Sequence, residues 1–89
     1  MPSRRLDSNF MKTGLICPEH LAHIEYTDEN RTGLYIEVRS TSQGQGTFWH
    51  RFKDDSNRTA RIKIGRTSDI SIKDAKDRVD VLRAKRALG

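Results

Sequence analysis

Between Gly33 and Gly65 the sequence "GLYIEVRSTSQGQGTFWHRFKDDSNRTARIKIG" alternates apolar and polar side chains in three separate runs, and this period of two restricts the fold more than any other feature. Successive side chains of an extended strand leave opposite faces, so each run has one face to bury and one to present. "LYIEVR" sets Leu34, Ile36 and Val38 against Tyr35, Glu37 and Arg39. "TFWHRFK" sets Phe48, His50 and Phe52 against Trp49, Arg51 and Lys53, and "TARIKIG" sets Ala60, Ile62 and Ile64 against Arg61 and Lys63. Between them "STSQGQG" reads as a flexible loop and "DDSNR" as a tight turn, in which Asp54 and Asp55 are turn formers rather than a catalytic carboxylate pair. A one-residue slip of the middle run would exchange its faces and bury Trp49, and alternation alone leaves both registers open.

After the third run the period lengthens. "SIKD", Ser71 to Asp74, has the form of a capping box, and Ile72, Ala75, Val79 and Leu82 then recur at spacings of three and four. That stripe predicts a helix lying across the sheet, with Gly89 as a plausible stop. The charges along it, Lys73 to Arg86, read as a solvated face, with an acid-free last turn that suits phosphate or a following domain. The predicted architecture is an α+β fold in which a three-stranded antiparallel sheet packs against one C-terminal helix. Residues 1–25 form an irregular lead-in with a short helix from Asp7 or Ser8 to about Thr13, and residues 26–89 form the domain itself.

Composition narrows the function classes. With 89 residues, 34% of them hydrophobic and 33% charged, the chain has room for one domain with a small core, not for a large pocketed enzyme. Seventeen Lys and Arg against twelve Asp and Glu give a net charge of +5, which favours a polyanionic partner. The lone Cys17 cannot form an intramolecular disulfide, and no signal-peptide pattern opens the sequence, so a cytoplasmic setting is expected. No apolar run approaches the roughly 20 residues that span a bilayer, so no membrane partner is expected. Cys17, His20 and His23 have a zinc-like spacing, but a closed structural site needs four ligands, and neither a metal nor another cofactor is expected. His50 is read as a core or edge histidine rather than a catalytic base.

The order and spacing of these elements resemble the N-terminal, arm-type DNA-binding domain of phage and genomic-island integrases of the tyrosine recombinase family. The matching residues are Asp28, Gly33, Leu34 and Val38; Thr47 and Phe48; Arg51, Phe52 and Lys53; Ile64, Gly65 and Arg66; and Ser71, Ile72, Ala75 and Lys76. Lys76 stands in place of the usual Arg, Thr67-Ser68 in place of an aromatic-Pro pair, and His50 where an apolar residue is usual. The resemblance implies a sheet whose exposed face binds arm-type DNA sites, while strand cleavage belongs to a separate catalytic domain. The expected function is therefore sequence-specific double-stranded DNA binding without enzymatic activity of its own, in a parent protein that is a tyrosine recombinase.

On that reading the outer sheet face carries the contacts. Tyr35, Arg39, Trp49, Arg51, Lys53, Arg61 and Lys63 face the groove, and Arg58 and Arg66 clamp phosphates at the ends of the third strand. Parent integrase protomers are further partners through the rest of the chain. Two other binding functions compete: a double-stranded RNA module, and a protein-interaction module working through Trp49, Val81, Ala84 and Leu88.

Overall fold

The computed structural model describes residues 3–88. Its elements run β1 (Ser3–Arg4), α1 (Ser8–Thr13), β2 (His23–Asp28), β3 (Leu34–Arg39), β4 (Thr47–Lys53), β5 (Thr59–Arg66) and α2 (Ile72–Leu88). The sheet follows chain order from β1 to β5. β2 to β5 form an antiparallel meander, and the two-residue β1 joins the outer edge of β2 in parallel. The antiparallel sheet thus has four strands, where the alternation predicts three. β2 escapes that reading because its inward side offers only Ile24 and Tyr26 before the buried Asp28, too short a run to display a period.

Register assigns the faces, because directly opposed residues share one. Leu34 opposes His50, Tyr35 opposes Trp49 and Ile36 opposes Phe48, so the unslipped register of β4 is the one adopted. Leu34, Ile36, Val38, Phe48 and Ile64 line the inner face, where Ala75 and Val79 of α2 close over them. Ile62 departs from its expected burial: it is 40% exposed, because β5 is the free edge of the sheet and Ile62 sits in an open apolar groove with Val81 and Leu82. A register shift between Phe48 and Trp49 leaves Ile64 as an extra residue on β5. Strict alternation would turn Arg66 inward after Lys63; the bulge sets it opposite Thr47, on the outer face.

The lead-in belongs to the same core. Asp7 caps α1 by accepting the Phe10 amide at 2.9 Å, and the chain beyond it buries Leu15 and Cys17 beside Leu6. The loop expected to be flexible is fastened to it: Gln43 accepts from the Cys17 amide and donates to the Cys17 carbonyl, each at 2.8 Å. At the start of β3, Gly33 has a φ of 89°, and a Cβ there would collide with the Arg51 carbonyl oxygen.

α2 begins as its capping residues predict, with the Ser71 hydroxyl accepting the Asp74 amide at 3.1 Å. Its charged side is exposed, as expected, apart from half-buried Lys76, and several of those charges also fasten the helix to the sheet. Lys76 lies 3.9 Å from buried Asp28, Arg78 donates to the Ile64 carbonyl at 3.0 Å, and Asp80 pairs with Arg31 at 3.2 Å. Arg86, in the last turn, stacks over Phe52 at 4.3 Å and donates to Nε2 of buried His50 at 2.9 Å. Gly89, expected to end the helix, lies outside the described residues.

That last contact makes stability depend on pH. A guanidinium only donates, so Nε2 accepts and the imidazole proton resides on Nδ1. Burial, then Arg86 and Arg83, hold the His50 pKa below its ordinary 6.5, opposed by the Gly33 backbone. The unfolded chain takes up a proton near pH 6.5 that the folded chain resists, so acidification from pH 7 to 5 favours unfolding. The expected result is a melting temperature that falls over this interval, with a shallower fall in His50→Leu. An unchanged slope in that variant would remove His50 as the cause.

Candidate nucleic-acid interface

On the outer face the register builds cross-strand rows. One runs Thr27, Tyr35, Trp49, Lys63; the next runs Glu25, Glu37, Thr47, Arg66; His23 and Arg39 flank the second row, and Arg51 and Arg61 flank the first. Cations therefore collect on the β4–β5 half and carboxylates on the β2–β3 half. The alternation finds only Glu37 as an acid here. Glu25 is missed together with its strand, and only the pairing of β2 with β3, which sets it opposite Glu37, brings it to this face.

The long side chains of the basic half lean back across the sheet. Arg51, from β4, lies over the Tyr35 ring at 4.4 Å and reaches Glu25 on β2 at 2.9 Å. Arg61, from β5, lies over the Trp49 ring at 4.1 Å, donates to the Tyr35 hydroxyl at 3.4 Å and approaches Glu37 to 3.8 Å. Cation–π contact favours this flat stacking. Both guanidinium pKa values are raised, for Arg51 chiefly by the bond to Glu25 and for Arg61 chiefly by the bond to Tyr35, so both stay charged.

This cover corrects the exposure expected for Tyr35, which points outward yet is only 1% exposed, roofed by two arginines from neighbouring strands. Trp49 is half-buried on the outer face, neither in the core nor fully open, and its Nε1 has no hydrogen-bond partner among the described residues. Arg39, Lys53, Arg58, Arg61, Lys63 and Arg66 are exposed. Arg39 also pairs with Glu37 at 3.3 Å, and Arg58 sits in the β4–β5 turn, where Asp54 Oδ1 accepts its amide at 2.9 Å. Beside these residues a cleft of about 440 Å³ opens between Trp49, Lys63, Arg66 and the 41–46 loop, a feature the sequence does not announce.

The remaining candidates separate in space. Cys17 is buried, while His20 and His23 are exposed. His23 instead lies near Glu25 and Glu37, with ligand atoms within 4.8 Å of one another, but both carboxylates are already engaged by arginines. Val81 is exposed beside the groove at Ile62, and the side chain of Leu88 lies outside the described residues. No helix among the described residues is long and apolar enough to cross a membrane.

The family model described as an arm DNA-binding domain matches residues 9–89, from α1 through α2. No curated protein and no solved structure matches the chain.

Proposed function

The chain belongs to the arm DNA-binding domain family, and from that premise we propose that it binds double-stranded DNA sequence-specifically through the outer face of its sheet. In this reading it is the N-terminal arm-site domain of a phage or genomic-island integrase of the tyrosine recombinase type. The observation that carries the assignment is the pair of guanidiniums, Arg51 and Arg61, stacked on Tyr35 and Trp49 amid Lys53, Lys63 and Arg66. A ribbon of strands fits the width of the major groove, where an arginine fork matches O6 and N7 of guanine. Arg51 and Arg61, held flat by their rings, are suited to that role. Lys53, Lys63, Arg39, Arg58 and Arg66 would take phosphates, fixing register without reading sequence.

An arm DNA-binding domain is itself non-catalytic. Strand cleavage is assigned in this proposal to another part of the parent recombinase, and arm-site occupancy would position that chemistry.

Anisotropy of a labelled duplex tests the assignment. Five neutralised phosphates imply a log-log salt slope of about −4.5. Trp49, partly covered in the free protein, is expected to emit between buried and exposed indole and to shift or quench on duplex addition. Affinity unchanged between low and physiological salt, with Trp49 silent, would overturn the proposal. Equal competition by double-stranded RNA would move the assignment to RNA.

A further inference from the structure

Two carboxylates occupy the middle of a face otherwise suited to polyanions. Glu25 and Glu37 stand directly opposite each other on β2 and β3, a like-charge pairing that weakens a sheet by itself. Their side chains are only 15% and 11% exposed, beneath the arginines they hold: Arg51 on Glu25, and Arg39 and Arg61 on Glu37. Two of these guanidiniums, those of Arg51 and Arg61, are also the ones stacked on Tyr35 and Trp49.

From this arrangement we propose that Glu25 and Glu37 determine the sequence selectivity of the face, a role that rests on the duplex-binding function proposed above. They act as positioning residues, fixing the planes and headings of Arg51 and Arg61 from below. They also oppose capture of those arginines by phosphate. A phosphate brings a full negative charge up to a carboxylate, whereas a guanine edge brings only neutral acceptors, so the retained acid penalises the first far more than the second. The consequence is weak binding to arbitrary duplex and a preference for sites that offer an acceptor edge at the correct position.

The test compares Glu25→Gln and Glu37→Gln with Asp77→Asn, which removes one charge from the exposed side of α2, in the opposite layer. Each protein is titrated with random-sequence duplex over a salt series and used to select from a random duplex library. If each Gln variant frees an arginine for one more phosphate, its salt slope steepens by about 0.9, equivalent to about eightfold tighter random binding at 0.1 M salt. The selected sequences lose enrichment at the same time, while Asp77→Asn keeps the native slope and motif. Loss of one contact to a merely structural acid would not steepen a salt slope. Either glutamate variant alone carries the test if the other fails to fold by circular dichroism.

Gln variants with the native slope and motif would overturn the inference and leave duplex binding intact. Equal steepening in Asp77→Asn would overturn it too, reducing the effect to net charge. A native protein that binds no duplex at any salt would instead bring down the function on which the inference rests.

Discussion

Replacing Phe48 with Ala is expected to destabilise the domain by about 3–5 kcal/mol, the usual cost of emptying a buried aromatic site. Phe48 is fully buried, opposed by Ile36 on one side and Gly65 on the other, and roofed by a core of few residues. Little in so small a core can collapse into the space. Urea denaturation should report the loss as a lower midpoint at an unchanged slope. Ile62→Ala removes a side chain of the same face but starts 40% exposed, so about 1–1.5 kcal/mol is expected there. Equal losses at the two positions would mean that α2 covers β5 differently from the arrangement described.

Arg51→Ala is expected to weaken binding to a selected duplex by about 1–3 kcal/mol, the range for losing a base-reading arginine. The substitution is not silent in the free protein, because it uncovers Tyr35 and removes the cation bonded to Glu25 at 2.9 Å, facing Glu37. The pair is partly solvated, so the loss of folding stability is expected to be at most about 1 kcal/mol. Binding is therefore compared at temperatures well below the variant's melting point. The double variant Glu25→Gln/Arg51→Ala removes the stranded carboxylate. If it recovers stability but not selected-duplex affinity, the arginine acts on DNA. Native affinity in Arg51→Ala would exclude Arg51 from the contact set.

The parts of this fold legible in the sequence are those where local pattern and tertiary demand coincide. Leu34, Ile36 and Val38, and Phe48 with His50, face inward as their period requires, and Asp7 and Ser71 cap helices as their spacing requires. Legibility ends where a residue's surroundings come from distant sequence. Tyr35 is placed on the correct face by alternation, yet its burial is produced by arginines 16 and 26 positions later in the chain. Glu25 carries no pattern of its own and acquires meaning only when β2 sets it against Glu37 and beneath Arg51. Arg66 is called to the correct neighbourhood by sequence, but only the bulge at Ile64 explains why it shares a face with Lys63. Of the candidate contacts, the cations were readable because charge at alternating positions is a local property; their partners and orientation were not.

The lead-in has a consequence for how such a unit travels between proteins. Leu6, Leu15 and Cys17 complete the hydrophobic interior, β1 hydrogen-bonds to β2, and Gln43, in the loop between β3 and β4, grips the Cys17 backbone. A graft that began at Tyr26 would carry every residue of β3 to β5 and α2, and would still arrive with an open interior and with β2 truncated. Exchange of this unit between proteins, by a breeder of chimaeras or by natural crossover, must therefore cut upstream of β1 at Ser3, so that the junction falls outside the interlocked segments and the incoming unit brings its own floor.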